Sequence, residues 1–223
     1  MGKRLNVLNK LINKQKSYSV KEAVNLIKKS STAKFNETIE IHIKLRGYNK
    51  NNNHQIIRGL ILLPHGIGKT RKIAVCTKGE KQQEAILAGA DLIGYDNLIE
   101  NILNTKIDFD ILIATPDAMK DLSKVANILG PRGLMPNMKS GTITSDITNT
   151  IKEIKLGRIE YKSDSYGIIH SVIGKASFEE SKLIDNLKFF IKTIVKSTSI
   201  NNYLKTFYIS STMGPGILVD HKD

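Results

Sequence analysis

The chain has 223 residues, 40% of them hydrophobic, which is enough for one or two globular domains with real cores. Its formal net charge of +13 favours a polyanionic partner, RNA or DNA before a membrane, because no amphipathic anchor accompanies the charge. The single cysteine, Cys76, excludes an intramolecular disulfide, and no run approaches the roughly 18 apolar residues of a membrane-spanning helix.

The first 66 residues combine helical patterns with an alternating strand. Apolar residues recur at helical spacing from Leu5 to Ile12, and Ser19-Val20-Lys21-Glu22 matches a capping box that predicts a helix from residue 20. Between Ile39 and Leu45 apolar and polar residues alternate, which indicates a strand with one solvated face. We expect residues 57–63 to form its partner strand, with the asparagine-rich segment 48–53 as a long polar turn.

From residue 70 to residue 159, short strands alternate with helices. Strands are expected at 71–76, 91–93 and 110–114, and helices at 80–88, at 97–103 and from Pro116 onward. This alternation predicts a parallel sheet covered on both faces, as in a small Rossmann-like domain. The turn Thr77-Lys78-Gly79-Glu80 after the first strand contains one glycine, so we expect no dinucleotide cofactor.

After Gly157 the alternating pattern returns. Strands are expected at 158–161, 168–173, 204–210 and 216–219, with a long amphipathic helix over 178–196. We therefore predict a discontinuous α+β domain, residues 1–66 and 158–223, interrupted by an inserted three-layer α/β domain, residues 67–157. Two short crossings join them, and their expected hinge residues are Pro64, His65, Gly66, Gly68 and Gly157.

The charge is distributed unevenly between these segments. Residues 1–66 carry 13 Lys and Arg against three Asp and Glu, a net +10, whereas residues 67–157 carry 12 against 11, a net +1. A local excess of this size predicts that the discontinuous domain is the one that contacts a polyanion.

The segment Gly66-Ile67-Gly68-Lys69-Thr70 is the basis of an alternative hypothesis, a nucleotide-dependent enzyme. A phosphate-binding loop needs a glycine where Leu63 stands, and Pro64 has no N–H to offer a phosphate. We prefer a flexible crossing. The five histidines show no metal-ligand spacing, and Cys76 lies in an apolar run, so we expect neither a metal site nor a catalytic site.

Three loops carry residues suited to RNA. In Ala33–Thr38, the cation of Lys34 can contact a phosphate, the ring of Phe35 a ribose or a base, and the hydroxyl of Thr38 a 2′-OH. The alternative is a loop with the Phe35 ring packed into the core. Ser210–Gly216 holds a large apolar residue, Met213, between small ones, and is either a hairpin turn or a surface for an RNA minor groove. Leu129–Pro136 is either a rigid surface loop or a phosphate contact through its arginine.

Five runs in this order resemble the bacterial-type large-subunit ribosomal protein L-one family. The runs are Ala33–Thr38, Leu63–Thr70, Ala114–Asp117 with Leu129–Pro136, Ile173–Phe178 and Ser211–Pro215. The resemblance implies two domains, one inserted in the other, and an rRNA-binding first domain. The contacts that we expect are Lys34, Phe35, Thr38, His170, Ser211, Thr212, Met213, Gly214 and Pro215.

The resemblance also implies a function without catalysis. Members of the family hold the mobile stalk of the large subunit on its rRNA and help to release tRNA from the exit site, and some bacterial members repress translation of their own mRNA. We expect a monomer within the ribosome, with no cofactor, metal, membrane or DNA partner. The run Tyr203–Ser211 and the AT-biased composition favour the plastid stroma, with the bacterial cytoplasm as the alternative. A translational regulator outside the ribosome is a third hypothesis.

Overall fold

The computed structural model describes residues 3–13, 16–46, 57–197 and 204–220. The chain divides into two compact units, Met1–Gly68 with Gly157–Asp223, and Lys69–Leu156. These limits lie within two residues of the boundaries expected from the sequence. Within the described ranges, none of the helices combines the length and the apolar character that crossing a membrane would require.

The helices and strands follow the chain in this order. The helices are α1 (Lys3–Leu11), α2 (Val20–Ser30), α3 (Lys81–Leu87), α4 (Asp96–Leu103), α5 (Met119–Leu122), α6 (Ala126–Leu129), α7 (Ile147–Leu156) and α8 (Glu180–Ser197). The strands are β1 (Thr38–Leu45), β2 (Arg58–Leu62), β3 (Ile73–Cys76), β4 (Leu92–Gly94), β5 (Ile111–Ala114), β6 (Arg158–Ser163), β7 (Ile168–Lys175), β8 (Leu204–Ser211) and β9 (Ile217–Leu218). Pro116 opens a short 3-10 turn, Pro116–Ala118, ahead of α5.

In the described part of the first unit, six strands form an antiparallel sheet in the order β2-β6-β7-β1-β8-β9. The prediction that residues 57–63 pair with β1 is wrong, because β7 and β8 occupy both edges of β1 and β2 pairs with β6. Alternation identifies a strand but carries no information about its partner. The asparagine-rich turn expected at 48–53 lies outside the described residues.

The core of this unit lies on one face of the sheet, beneath α2 and α8. The alternation of β1 is confirmed: Ile39, Ile41 and Ile43 are buried in this core, while the intervening residues lie on the opposite face. The capping box of α2 is confirmed as well, because the Ser19 hydroxyl accepts the Glu22 N–H and the Glu22 carboxylate accepts the Ser19 N–H.

The second unit contains a parallel sheet in the order β4-β3-β5, as the alternation of strands and helices predicts. Successive residues of β3 enter two separate apolar clusters: Ile73 and Val75 join one, and Ala74 and Cys76 the other. Both faces of this sheet are therefore covered. Burial raises the pKa of the Cys76 thiol to about 11, so the thiol stays protonated and inert near neutral pH.

Candidate nucleic-acid interface

Two of the predicted loops meet at one end of β1, where residues 33–38 and 211–215 form a surface that we call the paired loops. The Thr212 N–H donates to the Thr38 carbonyl at 3.0 Å. The Thr38 N–H in turn donates to the Thr212 hydroxyl at 2.9 Å. Because β1 and β8 are neighbours in the sheet, segments 174 positions apart are held in register by reciprocal hydrogen bonds.

A buried carboxylate, Glu37, ties the paired loops together. Its side chain is 1% exposed, and its two oxygens accept the N–H of Ala33 at 2.9 Å and the N–H of Met213 at 3.0 Å. Burial alone would raise the pKa of Glu37, but these two hydrogen bonds and the charge of Arg4 hold it below its ordinary value. The carboxylate is therefore ionised near neutral pH and fixes both backbones.

The side chains expected to face RNA extend outward from this anchor. Phe35 is 54% exposed and Met213 is 55% exposed. Lys34, which precedes Phe35 in the chain, is exposed as well. The alternative in which the Phe35 ring packs into the core is therefore wrong. A cation, an aromatic ring and a flexible thioether are therefore exposed on the paired loops, which suits contact with phosphates and bases.

Two of the expected contact residues have a different environment. Ser211 is 2% exposed, and Pro215 is buried, so neither side chain faces solvent. A Cβ at Gly214 would lie 2.4 Å from the Ser211 hydroxyl oxygen, which shows how closely the loop backbone passes over that side chain. Ser211 and Pro215 are buried as whole residues, so they shape the loop from beneath.

Two cations that our sequence analysis did not single out also reach the paired loops. An Arg4 guanidinium nitrogen donates to the Met213 carbonyl at 2.9 Å, and the Lys175 ammonium donates to the Thr38 hydroxyl at 2.7 Å. Arg4 is 209 positions from Met213, so only the fold reveals this contact. Lys175 could have been suspected, because it lies in the run Ile173–Phe178 on which the family resemblance partly rests.

His170 lies on the open face of the sheet and has a histidine neighbour. It faces His42 across β7 and β1, and the two Nδ1 atoms are 2.8 Å apart. Strand pairing brings these two histidines together although they are 128 positions apart in the chain, so their spacing in the sequence could not reveal the contact. His42 is four positions along β1 from Thr38, so the pair lies about 13 Å from the paired loops.

The expected hinge residues of the first unit form two adjacent crossings. The buried side chain of Asn186 accepts the His65 N–H at 3.1 Å and donates to the Gly66 carbonyl at 3.0 Å. Gly157 has φ of 107°, and a Cβ there would lie 2.4 Å from the Gly66 Cα. Glycine is therefore required at 157, both for its left-handed backbone and for the close approach of the two segments. Gly66 and Gly68 also have positive φ, and Pro64 is exposed.

The phosphate-loop alternative gains no support from the geometry of Lys69. Its ammonium donates to the Asp110 carboxylate at 3.1 Å, so its charge is already paired with an acidic side chain. Arg132 in the loop Leu129–Pro136 is exposed, as both interpretations of that loop require.

Comparison with known proteins identifies the family. The sequence model of the ribosomal protein L1p/L10e family matches residues 27–215, a span that includes both of the paired loops. The chain belongs to this family. The large ribosomal subunit protein uL1 of Prochlorococcus marinus (strain MIT 9515) is 48% identical over 223 residues, covering 99% of this chain and 94% of that protein. Its counterpart in Protochlamydia amoebophila (strain UWE25) is 42% identical over 225 residues, covering 100% and 95%.

Membership establishes the general role of the chain. It is a structural, non-enzymatic constituent of the large ribosomal subunit, and it acts in translation at the ribosome. The family implies binding to large-subunit rRNA. The hypothesis of a nucleotide-dependent enzyme is therefore wrong.

Proposed function

We propose that the paired loops bind large-subunit, 23S-type rRNA at the mobile stalk. The observation that carries the proposal is the coupling of the two loops through Glu37 and Thr212, with Lys34, Phe35 and Met213 exposed on the surface that results. Bracing of this kind lowers the entropy lost on binding, because the backbone is ordered before RNA arrives. The contact set is then Lys34, Phe35, Thr38, His170, Thr212, Met213 and Gly214, with Ser211 and Pro215 supporting the loop.

Each class of contact has a physical role in this proposal. Lys34 neutralises phosphate, and the net +10 of residues 1–66 adds long-range attraction. The exposed ring of Phe35 offers a stacking face for an unpaired base or a ribose. Met213 presses against a shallow minor groove, where the Thr212 and Thr38 hydroxyls can meet 2′-OH groups. The mixture favours folded RNA over duplex DNA.

The rest of the proposed role follows the family resemblance. The discontinuous unit grips the rRNA, and the inserted Rossmann-like unit moves about Pro64, His65, Gly66, Gly68 and Gly157 while tRNA leaves the exit site. Binding of a similar fold in its own mRNA would repress translation. The identity to a cyanobacterial relative fits a plastid ribosome, and the bacterial relatives fit a bacterial one equally well.

A binding assay with matched variants tests the central proposal. The full chain is titrated onto transcribed large-subunit rRNA at several salt concentrations, with duplex DNA as the competitor. We expect tight, salt-sensitive binding to rRNA, and at least a tenfold loss for Met213→Asp, since it places a charge against the RNA backbone. The control is Met138→Asp, because Met138 is 78% exposed in the other unit.

Equal losses for the two variants, or equal affinity for duplex DNA, would refute the assignment of the paired loops. Co-sedimentation with large subunits separates a resident ribosomal protein from a regulator that acts elsewhere. We expect the chain to remain with the subunit through a sucrose gradient at low salt.

A further inference from the structure

A row of side chains crosses the open face of the six-stranded sheet. Directly paired residues of neighbouring strands lie on the same face, so the registers place Arg58, Lys162, His170, His42 and Tyr208 in one line. We call these five residues the cross-sheet row. With strands about 4.8 Å apart, the row is about 19 Å long. Lys162, His170 and Tyr208 are exposed, and the other two are half-buried.

The centre of the row is the histidine pair, which can share only one proton between its facing nitrogens. At 2.8 Å, one Nδ1 must donate and the other must accept, because two N–H groups cannot face each other at that distance. The outer nitrogens are also engaged: His170 Nε2 lies 3.5 Å from an Asp164 oxygen, and His42 Nε2 lies 3.1 Å from the Ser210 hydroxyl. A second proton would separate the rings and leave two N–H groups to seek an acceptor.

The charged side chains around the histidine pair cancel one another, so the protonation of the pair sets the net charge at the centre of the row. Two cations, Lys44 on β1 and Lys162 on β6, face it together with two carboxylates, Glu40 on β1 and Asp164 in the β6–β7 turn. Arg58 is neutralised by its ion pair with Glu160, and Tyr208 is the facing residue on β8. These fixed charges balance, so each proton gained by an imidazole makes the centre of the row more positive. Burial and the charge of His170 lower the pKa of His42, which keeps the second proton off in the free protein.

We propose that the cross-sheet row, through His170, extends the RNA contact from the paired loops across the open face to the sugar–phosphate backbone, and that the histidine pair takes up protons when RNA binds. The inference rests on the proposed function, because the row lies on the same sheet as the paired loops and shares β1 and β8 with them. A phosphodiester placed over the pair supplies the acceptor for both freed N–H groups. Lys162 adds a fixed charge on one side, and the ring of Tyr208 offers a stacking surface on the other.

The test is the pH dependence of rRNA affinity for the full chain, measured with transcribed large-subunit rRNA between pH 5.5 and 7.5 with a chelator present. For each proton taken up on binding, we expect wild-type affinity to rise by up to about tenfold per pH unit as the pH falls from 7.5 to 5.5. Glu37 stays ionised over this range, because its pKa lies below the ordinary value. The double variant His42→Gln, His170→Gln should lose the rise.

The matched control is His65→Gln, since the His65 imidazole also lies beside a carboxylate, 3.2 Å from an Asp185 oxygen, but away from the open face. It should keep the wild-type pH profile. Proton uptake on the wild-type chain, measured at pH 6.5 by calorimetry in two buffers of different ionisation heat, gives a readout that does not depend on a variant folding. Binding without proton uptake, or a rise that survives in the double variant, overturns this inference alone. Failure to bind rRNA at every pH refutes the proposed function instead.

Discussion

Replacing Glu37 by alanine should both destabilise the first unit and weaken rRNA binding. The carboxylate is 1% exposed and accepts two backbone N–H groups, from Ala33 and Met213. A hydrogen bond to a charged group contributes roughly 1.5–3 kcal/mol. Since water can reach part of the vacated space at the edge of the loops, we expect a loss of about 3 kcal/mol in the free energy of unfolding. Glu37→Gln should lose less, because its amide oxygen can still accept one of the two N–H groups.

Urea unfolding of the full chain measures this loss, and the rRNA titration measures its functional consequence. The control is Glu179→Gln, an exposed carboxylate of the same unit, which should change stability by less than about 0.5 kcal/mol. If Glu37→Ala unfolded at the wild-type urea concentration and bound rRNA with wild-type affinity, the claim that this carboxylate braces the paired loops would be refuted.

The Glu37 carboxylate also makes the free energy of unfolding depend on pH, and acid should lower it. Its pKa is lower in the folded chain than in the unfolded chain, so its contribution to stability is complete above about pH 4.3, the unfolded value. That contribution is lost as the pH falls through the folded pKa. Urea midpoints of the wild-type and Glu37→Gln chains should therefore draw together as the pH falls through the folded pKa of Glu37. A constant gap between them would contradict this explanation.

Three further changes test other parts of the structure. Gly157→Ala should prevent folding of the first unit or lower its free energy of unfolding by more than about 3 kcal/mol. Its control is Gly79→Ala, because Gly79 also has positive φ but nothing lies within 4 Å of the added Cβ. That change should lower the free energy of unfolding by about 1 kcal/mol, measured by thermal or urea unfolding. Phe35→Ala should weaken rRNA binding by roughly 1–3 kcal/mol and leave the melting temperature unchanged, since the ring is 54% exposed; a lower melting temperature would indicate a packing role instead. Ser19→Ala should cost about 1 kcal/mol of unfolding free energy through loss of the capping box, and equal stability would mean that α2 does not need its cap.

Much of the local structure was predictable because its causes lie close together in the chain. The alternation from Ile39 to Leu45 predicts β1, and the spacing of Ser19 and Glu22 predicts the start of α2. After residue 70, short strands follow one another with helices between them, and this order predicts the parallel sheet of the second unit. The partner of residues 57–63 was not predictable in this way, because strand pairing depends on which edges remain free after the whole sheet has formed.

The candidate interface likewise has features that the sequence predicts and features that only the fold shows. The sequence by itself determined the charge of the first 66 residues, the types of side chain at Lys34, Phe35 and Met213, and through its motifs the family. Only the tertiary structure decided that Glu37 is the buried brace and that His42 faces His170. The physical reason is that periodicity and capping act over a few residues, whereas a shared proton or a bridging carboxylate needs atoms that only the folded sheet brings within hydrogen-bond distance.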